Sequence, residues 1–265
     1  MPRFAANLTM LYNELPFLDR FAAAAQSGFQ AVEFLFPYDF AAEDIAQRLK
    51  DNGLQLVLHN LPAGNWASGE RGIACHPDRA GEFRDGVHQA LAYAAVLKPP
   101  QMNALAGIAP AGVSEDDARR TLVDNLTFAA HALGERGIRL LMEPINTFDI
   151  PGFFVNRTAQ ALAIMDEVGS SNLYLQYDIY HAQRMEGELA ATLKQHLARI
   201  GHIQLADNPA RNEPGTGEIH YRFLFEHLDA LGYPGWIGCE YKPKDSGPGG
   251  TDAGLGWVAA HGQTL

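Results

Sequence analysis

Residues 173–178, Leu-Tyr-Leu-Gln-Tyr-Asp, form the stretch that decides the fold. Side chains alternate between the two faces of a β-strand, so Gln176 and Asp178 should share one face and the apolar leucines the other. Strands of an open parallel sheet are apolar on both faces, because helices cover both. A strand with one polar face suits a closed barrel instead, in which the apolar face packs on helices and the polar face lines the lumen.

Two other predicted strands show the same alternation. His202 and Gln204 share a face in residues 202–206, and His59 lies on the face of residues 54–60 that should point inward. The dinucleotide-binding pattern G-x-G-x-x-G does not follow the first strand, and the phosphate-binding pattern G-x-x-x-x-G-K-[ST] is absent. The sequence therefore favours a barrel over a nucleotide-binding open sheet.

Short β-rich segments alternate with longer helical segments along the chain. They give eight strand–helix pairs, which predict an α/β fold with a single (β/α)8 TIM barrel over residues 1–265. No linker, repeat or low-complexity tract interrupts the pattern. Strands are predicted at Phe4–Leu8, Ala31–Phe36, Leu54–Asn60, Met102–Leu105, Ile138–Glu143, Leu173–Asp178, His202–Ala206 and Trp236–Glu240. Helices are predicted at Pro16–Ser27, Ala42–Asn52, Asp78–Leu97, Ser114–Arg136, Thr158–Val168, Glu188–Ala198, Tyr221–Leu231 and Asp252–Ala260.

Several predicted helix ends carry chemical signals. Ser114 is followed directly by acidic residues, which is typical of an N-cap and of the positive end of a helix dipole. Gly53, Gly137 and Gly169 come at or just after the ends of predicted helices. Glycine adopts the left-handed conformation that ends many helices, so we expect positive φ angles at all of these glycines.

Composition narrows the class of protein. The net charge of −11 argues against a nucleic-acid partner, because a duplex binder needs a basic face. Cys75 and Cys239 have no CxxC spacing, so we expect reduced thiols rather than a disulfide or a zinc site. The start of the chain lacks the features of a signal peptide, and no stretch approaches the roughly 20 apolar residues that span a bilayer. We therefore expect a cytoplasmic protein with no membrane partner.

Four side chains that carry oxygen ligands stand at or near the carboxyl ends of four consecutive predicted strands. They are Glu143, Asp178, Gln204 and Glu240. Adjacent strands lie about 5 Å apart, so inward side chains at one height should converge. Converging carboxylates repel one another unless a proton or a cation neutralises them. Because an all-oxygen set suits hard cations better than zinc, we expect one Mg²⁺ or Mn²⁺ ion and no organic cofactor.

Five motifs carry a family resemblance. They are Met142–Asn146, Gln176–His181, His202–Asp207, Arg211–Ile219 and Gly238–Tyr241. Together they resemble the hydroxypyruvate isomerase family of the xylose-isomerase-like TIM barrels, and the likeness spans essentially the whole chain. The Tyr-Asp-x-Tyr-His run and the Arg-x-Glu-Pro-Gly-Thr-Gly-Glu loop are the most specific pieces.

This resemblance implies a divalent metal bound by Glu143, Asp178, Gln204 and Glu240, with Glu143 and Glu240 as the acid/base pair. Several sugar epimerases of the wider superfamily have a histidine where Gln204 stands. The amide agrees with the narrower family and argues against a ketohexose substrate.

The implied activity is an aldose–ketose-type isomerisation, an intramolecular oxidoreduction of the kind that converts hydroxypyruvate to tartronate semialdehyde. One carboxylate can take a proton from carbon, and a second one across the planar enediolate can return a proton to the neighbouring carbon. A four-carbon 2-oxo-tetronate is an open alternative substrate. More remote alternatives are a phosphodiesterase like endonuclease IV, which uses a His-rich multi-zinc cluster, and a barrel that binds carbohydrate without catalysis.

Four further side chains are expected to bind the substrate. His181 should lie in the loop after the sixth strand and His59 should point inward, whereas Arg211 and Lys242 can pair with a substrate carboxylate. Glu33 is expected to be a structural hydrogen-bonding residue of the lumen. The last predicted helix is short, which leaves room for a second copy of the chain in a homo-oligomer.

Overall fold

Eight parallel strands close into a barrel in the structure, a computed structural model that describes residues 1–265. Each strand pairs with its neighbours in chain order, and the last strand pairs with the first. The strands are β1 (Arg3–Asn7), β2 (Ala31–Glu33), β3 (Gln55–Asn60), β4 (Gln101–Ala104), β5 (Arg139–Met142), β6 (Leu173–Asp178), β7 (Ile200–Leu205) and β8 (Trp236–Cys239). The predicted α/β class and (β/α)8 barrel are confirmed.

Ten α-helices accompany the strands. They are α1 (Arg20–Gln26), α2 (Ala42–Asp51), α3 (Ala80–Leu97), α4 (Glu115–Gly134), α5 (Thr158–Val168), α6 (Ile179–Met185), α7 (Leu189–His196), α8 (Tyr221–Leu231), α9 (Gly250–Gly254) and α10 (Trp257–Ala260). The expected last helix is thus two short helices, and β2 ends at Glu33 rather than at Phe36.

The expectation that His181 lies in a loop is wrong, because helix α6 begins directly after β6. Asp178 caps this helix, since its Oδ1 accepts a hydrogen bond from the Tyr180 N–H at 2.8 Å. The sequence interpretation treated Asp178 only as a ligand and so missed its second role as an N-cap.

The expected helix ends are confirmed. Ser114 Oγ accepts a hydrogen bond from the Asp117 N–H at 3.1 Å at the start of α4. The φ angles of Gly53, Gly137 and Gly169 are +62°, +68° and +63°. A strand begins soon after each of these turns, so the glycines direct the chain from the helix layer back into the barrel.

The lumen has an apolar layer at its amino end. Ala5, Ala31, Val57, Leu58 and Leu141 form this apolar plug, against which Tyr174 and Trp236 pack. The main core lies on the other side of the strands, between them and the helices. It includes Leu175, Tyr177, Ile203 and Leu205, as the alternation of β6 and β7 predicts.

The inward direction expected for His59 is wrong. Val32 pairs with Leu56, but the next residue, Glu33, pairs with Leu58, so β3 contains one extra residue opposite β2. Such a bulge reverses the alternation for the residues that follow it. Asn60 therefore faces the lumen, while His59 packs on the aromatic ring of Phe34 at a centroid distance of 6.3 Å.

Both cysteines, Cys75 and Cys239, are free and buried, which agrees with reduced thiols. None of the helices combines the length and the apolar character that crossing a membrane requires. A cytoplasmic location stays a prediction.

Candidate active site

A cavity of about 290 Å³ opens at the carboxyl end of the barrel. Side chains that end the strands form its floor, and the loops that follow the strands form its walls. This volume lies at the lower end of the range for small-molecule sites, so it suits a ligand of a few carbons. The ionisable residues that line it are Glu33, Arg71, Glu143, Asp149, His181, Arg211, Glu240 and Lys242.

Three buried carboxyl groups form a cluster at this end of the barrel: Glu143 and Glu240 line the cavity, and Asp178 lies beside them. Glu143 directly follows β5, Asp178 ends β6 and Glu240 directly follows β8. One ligand atom from each of them, together with one from His181, lie within 4.8 Å of one another. The barrel therefore brings together the acidic side chains that the strand pattern predicted would converge.

Burial and mutual repulsion raise the pKa values of these carboxyls. Burial, with the charges of Glu240 and Asp178, holds the pKa of Glu143 well above 4.5. Burial also raises the pKa of Asp178 above its usual value. Burial raises the pKa of Glu240 to about 8, although the charge of Arg211 opposes the shift. Without a cation, the cluster should retain at least one proton at neutral pH.

Arg211 interacts with two carboxyl groups of this cluster. Its Nη2 donates a hydrogen bond to Glu240 Oε2 at 2.7 Å and lies 3.6 Å from Asp178 Oδ2. Its Nη1 lies 4.0 Å from Asp149 Oδ2. The sequence suggested that Arg211 binds a substrate carboxylate, but its guanidinium is directed to carboxylates of the protein.

Asn146 fixes the orientation of His181. Asn146 Oδ1 accepts hydrogen bonds from the N–H groups of Phe148 and Asp149, at 3.0 Å and 2.8 Å. The amide nitrogen must therefore face the other way, where it donates to His181 Nδ1 at 2.6 Å. A ring nitrogen that accepts a hydrogen bond carries no proton, so neutral His181 is protonated on Nε2.

The protonated Nε2 of His181 faces the acidic cluster. It lies 3.5 Å from Asp178 Oδ2 and 3.7 Å from Glu143 Oε1. Burial, with the charges of Arg211 and Arg184, holds the pKa of His181 well below 6.5. A neutral histidine in this tautomer offers the cavity an N–H donor rather than a lone pair for a metal.

A hydrogen-bonded layer beneath the cluster positions Gln204. Its Nε2 donates to Glu33 Oε1 at 2.7 Å, and its Oε1 accepts from Gln176 Nε2 at 2.7 Å. Gln176 also donates to Glu143 Oε2 at 2.9 Å. Glu33 accepts a further hydrogen bond from His202 Nε2 at 2.6 Å, so it is the lumen hydrogen-bonding residue that the sequence suggested.

The residues present fit a hard divalent cation. Asp178 Oδ2 is buried and has no hydrogen-bond partner, which leaves a lone pair directed at the cluster. Gln204 pairs with Asp178 across β6 and β7, and its carbonyl oxygen has a second lone pair beyond its bond from Gln176. With Glu143 and Glu240 these residues form an oxygen-donor set of the kind that Mg²⁺ and Mn²⁺ prefer.

Three of the four predicted substrate-binding residues lie at the cavity. His181, Arg211 and Lys242 line the cavity, whereas His59 does not. Lys242 is exposed and makes no ion pair, so it lies at the rim. Strand alternation could have found Asn103, a residue that the sequence interpretation missed and that donates to Glu143 Oε2 at 3.0 Å.

Comparison with known proteins agrees with this architecture. Residues 21–261 match the model of the family described as xylose isomerase-like TIM barrel. The chain is 55% identical to the hydroxypyruvate isomerase of Escherichia coli (strain K12), over 97% of this chain and 98% of that protein. It is 52% identical, over the same shares of the two chains, to the 2-oxo-tetronate isomerase of Cupriavidus necator.

A solved structure described as AP endonuclease, family 2, from Brucella melitensis superposes with a TM-score of 0.94 at 44% identity. The match covers 98% of this chain and 99% of that one. Sequence likeness over nearly the whole chain, the family model and the closed barrel all agree. The chain therefore belongs to the hydroxypyruvate isomerase family of xylose isomerase-like TIM barrels, and it is an isomerase.

Proposed function

We propose that this protein isomerises a small hydroxy-oxo acid, in the manner of hydroxypyruvate to tartronate semialdehyde, and that the reaction depends on one divalent metal ion. The observation that carries the proposal is the meeting of the buried carboxyls Glu143 and Glu240 at one small cavity. Carboxyl groups whose pKa is raised toward neutrality are suited to moving protons to and from carbon. The relatives named for hydroxypyruvate and 2-oxo-tetronate support the substrate class.

We assign the metal to Glu143, Asp178, Gln204 and Glu240. A bound Mg²⁺ or Mn²⁺ ion would stabilise the negative charge that develops on the substrate oxygens. Glu33 and Gln176 hold the Gln204 amide from both of its ends, so the amide oxygen keeps a fixed direction. Such indirect support usually matters for metal affinity.

Glu143 and Glu240 perform the proton transfers. One of them takes a proton from the carbon that bears the hydroxyl group, which leaves a planar enediolate. The other returns a proton to the former carbonyl carbon, while the hydroxyl proton passes between the two substrate oxygens. The two carboxyls directly follow β5 and β8, which are three strands apart in the barrel, and this separation suits transfer at neighbouring carbons.

Two neighbouring residues support these transfers. The His181 Nε2–H can donate a hydrogen bond to a substrate oxygen where charge accumulates. Arg211 holds Glu240 through a hydrogen bond of 2.7 Å and favours its ionised form, which is the form that accepts a proton. The structure thus supports a neutral donor and a fixed cation beside the acid/base pair.

A coupled assay tests the proposal. Purified protein is mixed with hydroxypyruvate and a reductase specific for tartronate semialdehyde, with and without EDTA. We expect turnover that EDTA abolishes and that Mg²⁺ or Mn²⁺ restores. Turnover that is unchanged in EDTA would contradict the metal requirement, and no turnover of any hydroxy-oxo acid would contradict the activity.

A four-carbon 2-oxo-tetronate is the alternative substrate, because three of the similar proteins are named for its isomerisation. The same assay format, with each acid in turn, decides between them through kcat/KM. A higher value for the four-carbon acids changes the substrate and leaves the chemistry of Glu143 and Glu240 intact.

A phosphodiesterase is the more remote alternative, and the description of the Brucella melitensis structure is the observation that favours it. Only one histidine, His181, belongs to the acidic cluster, and its protonated nitrogen faces the carboxylates. That arrangement does not suit a His-rich zinc cluster. Incubation with a duplex that contains an abasic site, with Mg²⁺ or Zn²⁺, should give no cleavage.

A further inference from the structure

Arg71 is a cation of the cavity wall to which the reaction described above gives no role. It lies in the loop between β3 and α3, is half-buried, and lines the same cavity as Glu143 and Glu240. The sequence did not single it out, because nothing in the residue pattern fixes the path of this long loop.

Hydrogen bonds from the protein occupy only one edge of the Arg71 guanidinium. Its Nη1 donates hydrogen bonds to the carbonyl oxygens of Trp66 and Glu70, at 3.1 Å and 2.7 Å. Its Cζ lies 4.3 Å from the centroid of the Trp66 ring, so the guanidinium stacks on the indole. Nε and Nη2 form no hydrogen bond, and this edge is one of the forks that arginine uses to bind a carboxylate through two parallel bonds.

A β-bridge and an ion pair hold the loop around Arg71 in place. Gly72 bridges to Ala106 of the neighbouring βα segment, with a φ of +115°, and an added Cβ would lie 2.5 Å from the Leu105 carbonyl oxygen. Glu70 is tied to Arg79, with 2.6 Å between Arg79 Nη1 and Glu70 Oε1. The direction of the free guanidinium edge is therefore set before any ligand binds, which lowers the entropy cost of binding.

Arg71 also differs from Arg211 in its charge balance. Arg211 lies within 4.0 Å of Glu240, Asp178 and Asp149, so acids of the protein already neutralise it. None of the ion pairs in the chain includes Arg71. Lys242 is likewise unpaired, but it is exposed and nothing fixes its long side chain.

We propose that Arg71 binds the carboxylate of the hydroxy-oxo acid, an inference that rests on the proposed function. With the acid group on the β3–α3 loop, the hydroxyl and carbonyl carbons are directed to Glu143 and Glu240. Arg71 then makes the cavity select an acid over a neutral sugar of similar length. It is a substrate-binding residue and takes no part in proton transfer.

Kinetics of Arg71→Met and Arg71→Lys test the assignment. Arg71→Met should raise KM for hydroxypyruvate by about 100-fold, because two charge-assisted hydrogen bonds are lost, with a smaller effect on kcat. Arg71→Lys keeps the positive charge but cannot form two parallel hydrogen bonds. Its KM should therefore lie between that of the wild type and that of Arg71→Met. Turnover of dihydroxyacetone, the neutral analogue, should not depend on residue 71.

Arg3→Met is the matched control. Arg3 also stacks on a tryptophan, with its Cζ 4.7 Å from the Trp236 ring centroid, and also donates to a backbone carbonyl, but it lies at the amino end of the barrel. Its loss should leave KM unchanged. A KM for hydroxypyruvate in Arg71→Met within about threefold of the wild type overturns the assignment to Arg71. A raised KM in Lys242→Met would then assign the carboxylate to Lys242.

A binding measurement separates this inference from the proposed function. Pyruvate carries the same carboxylate and carbonyl but no hydroxyl group, so it can bind without isomerising. Calorimetry of the Mn²⁺-loaded protein should show pyruvate binding in the wild type and in Arg3→Met, and a loss of about 100-fold in Arg71→Met. If pyruvate binding depends on Arg71 but no hydroxy-oxo acid is turned over, only the isomerase proposal is refuted. If pyruvate binds Arg71→Met as tightly as the wild type, or does not bind the wild type, the role of Arg71 is refuted.

Discussion

The two ends of the barrel lumen are built from the same strands and differ in almost every physical respect. At the amino end, the apolar plug of Ala5, Ala31, Val57, Leu58 and Leu141 is closed and carries no ionisable group. At the carboxyl end, buried carboxyls crowd around an open cavity. Packing stabilises the first region, whereas repulsion and desolvation destabilise the second unless a cation is bound.

This difference shows how one barrel divides stability from chemistry. A single strand contributes to both ends: β5 places Leu141 in the plug and presents Glu143 to the cavity directly after its last residue. Two residues along a strand are only about 7 Å, so a rigid apolar layer supports the acid/base pair from just beneath. Changes at the two ends should therefore have separable effects.

The largest effect is expected from Glu143→Gln and Glu240→Gln. Each removes one proton-transfer group while it preserves shape, so kcat for the acid substrate should fall by about 10²–10⁴-fold. Circular dichroism and the melting temperature report whether the barrel stays folded. Substantial turnover in either variant would remove that residue from the acid/base role, and the division between the two ends would need another explanation.

Leu141→Ala should give the opposite result. Leu141 is fully buried in the apolar plug, so its truncation should cost about 2–5 kcal/mol of unfolding free energy through the cavity that it leaves. The folded enzyme should retain kcat and KM close to those of the wild type. Denaturant unfolding and kinetics on one preparation measure both quantities, and a large loss of kcat with normal stability would contradict the separation.

The pH dependence of stability should show a smaller difference between the amino and carboxyl ends of the barrel lumen. The raised pKa values of Glu143 and Glu240 mean that the metal-free folded state binds more protons than the unfolded state, from about pH 4.5 up to about pH 8 for Glu240. Stability must then fall as pH rises through this window, by about 1.4 kcal/mol per pH unit for each group that stays protonated.

Melting in EDTA across that range measures this slope. Mn²⁺ should flatten it, and Glu240→Gln should remove part of it because an amide does not titrate. Leu141→Ala should lower every melting temperature without changing the slope. A metal-free protein whose stability is constant or rises across the window would show that the carboxyl end carries no electrostatic strain.

Much of the site could be predicted because it follows directly from strand order. Glu143, Asp178 and Glu240 stand at strand ends, and a closed barrel brings strand ends together whatever the loops do. Arg71 and Asn146 could not be predicted from this rule. Both lie in loops, and their directions depend on backbone hydrogen bonds such as those that Asn146 accepts.

His59 was assigned to the wrong face for a different reason, because strand alternation itself gave the wrong direction. The rule assumes an unbroken ladder, and the extra residue of β3 opposite β2 breaks it. Glycine or proline in a strand would have been a warning, but residues 55–60 contain neither. A bulge between ordinary residues is set by the pairing of neighbouring strands and leaves no local signal.

The corrected position of His59 leads to the smallest expected effect. Its ring is fully buried beside Phe34, its Nε2 has no partner, and burial lowers its pKa to about 4. His59→Phe should therefore leave KM and kcat within about twofold of the wild type, and should not lower stability, because an unsatisfied polar atom is removed.

His59→Phe should also change how the stability of the protein depends on acidic pH. The pKa of His59 is depressed in the folded state, so its contribution to stability is present above about pH 6.5 and is lost as pH falls toward 4. His59→Phe should reduce the loss of melting temperature over that range. Asn60→Ala, which changes the adjacent side chain that does line the cavity, should instead raise KM and leave the acid sensitivity unchanged. If His59→Phe raised KM by about tenfold and Asn60→Ala did not, the bulge would be misplaced and the original alternation of β3 would hold.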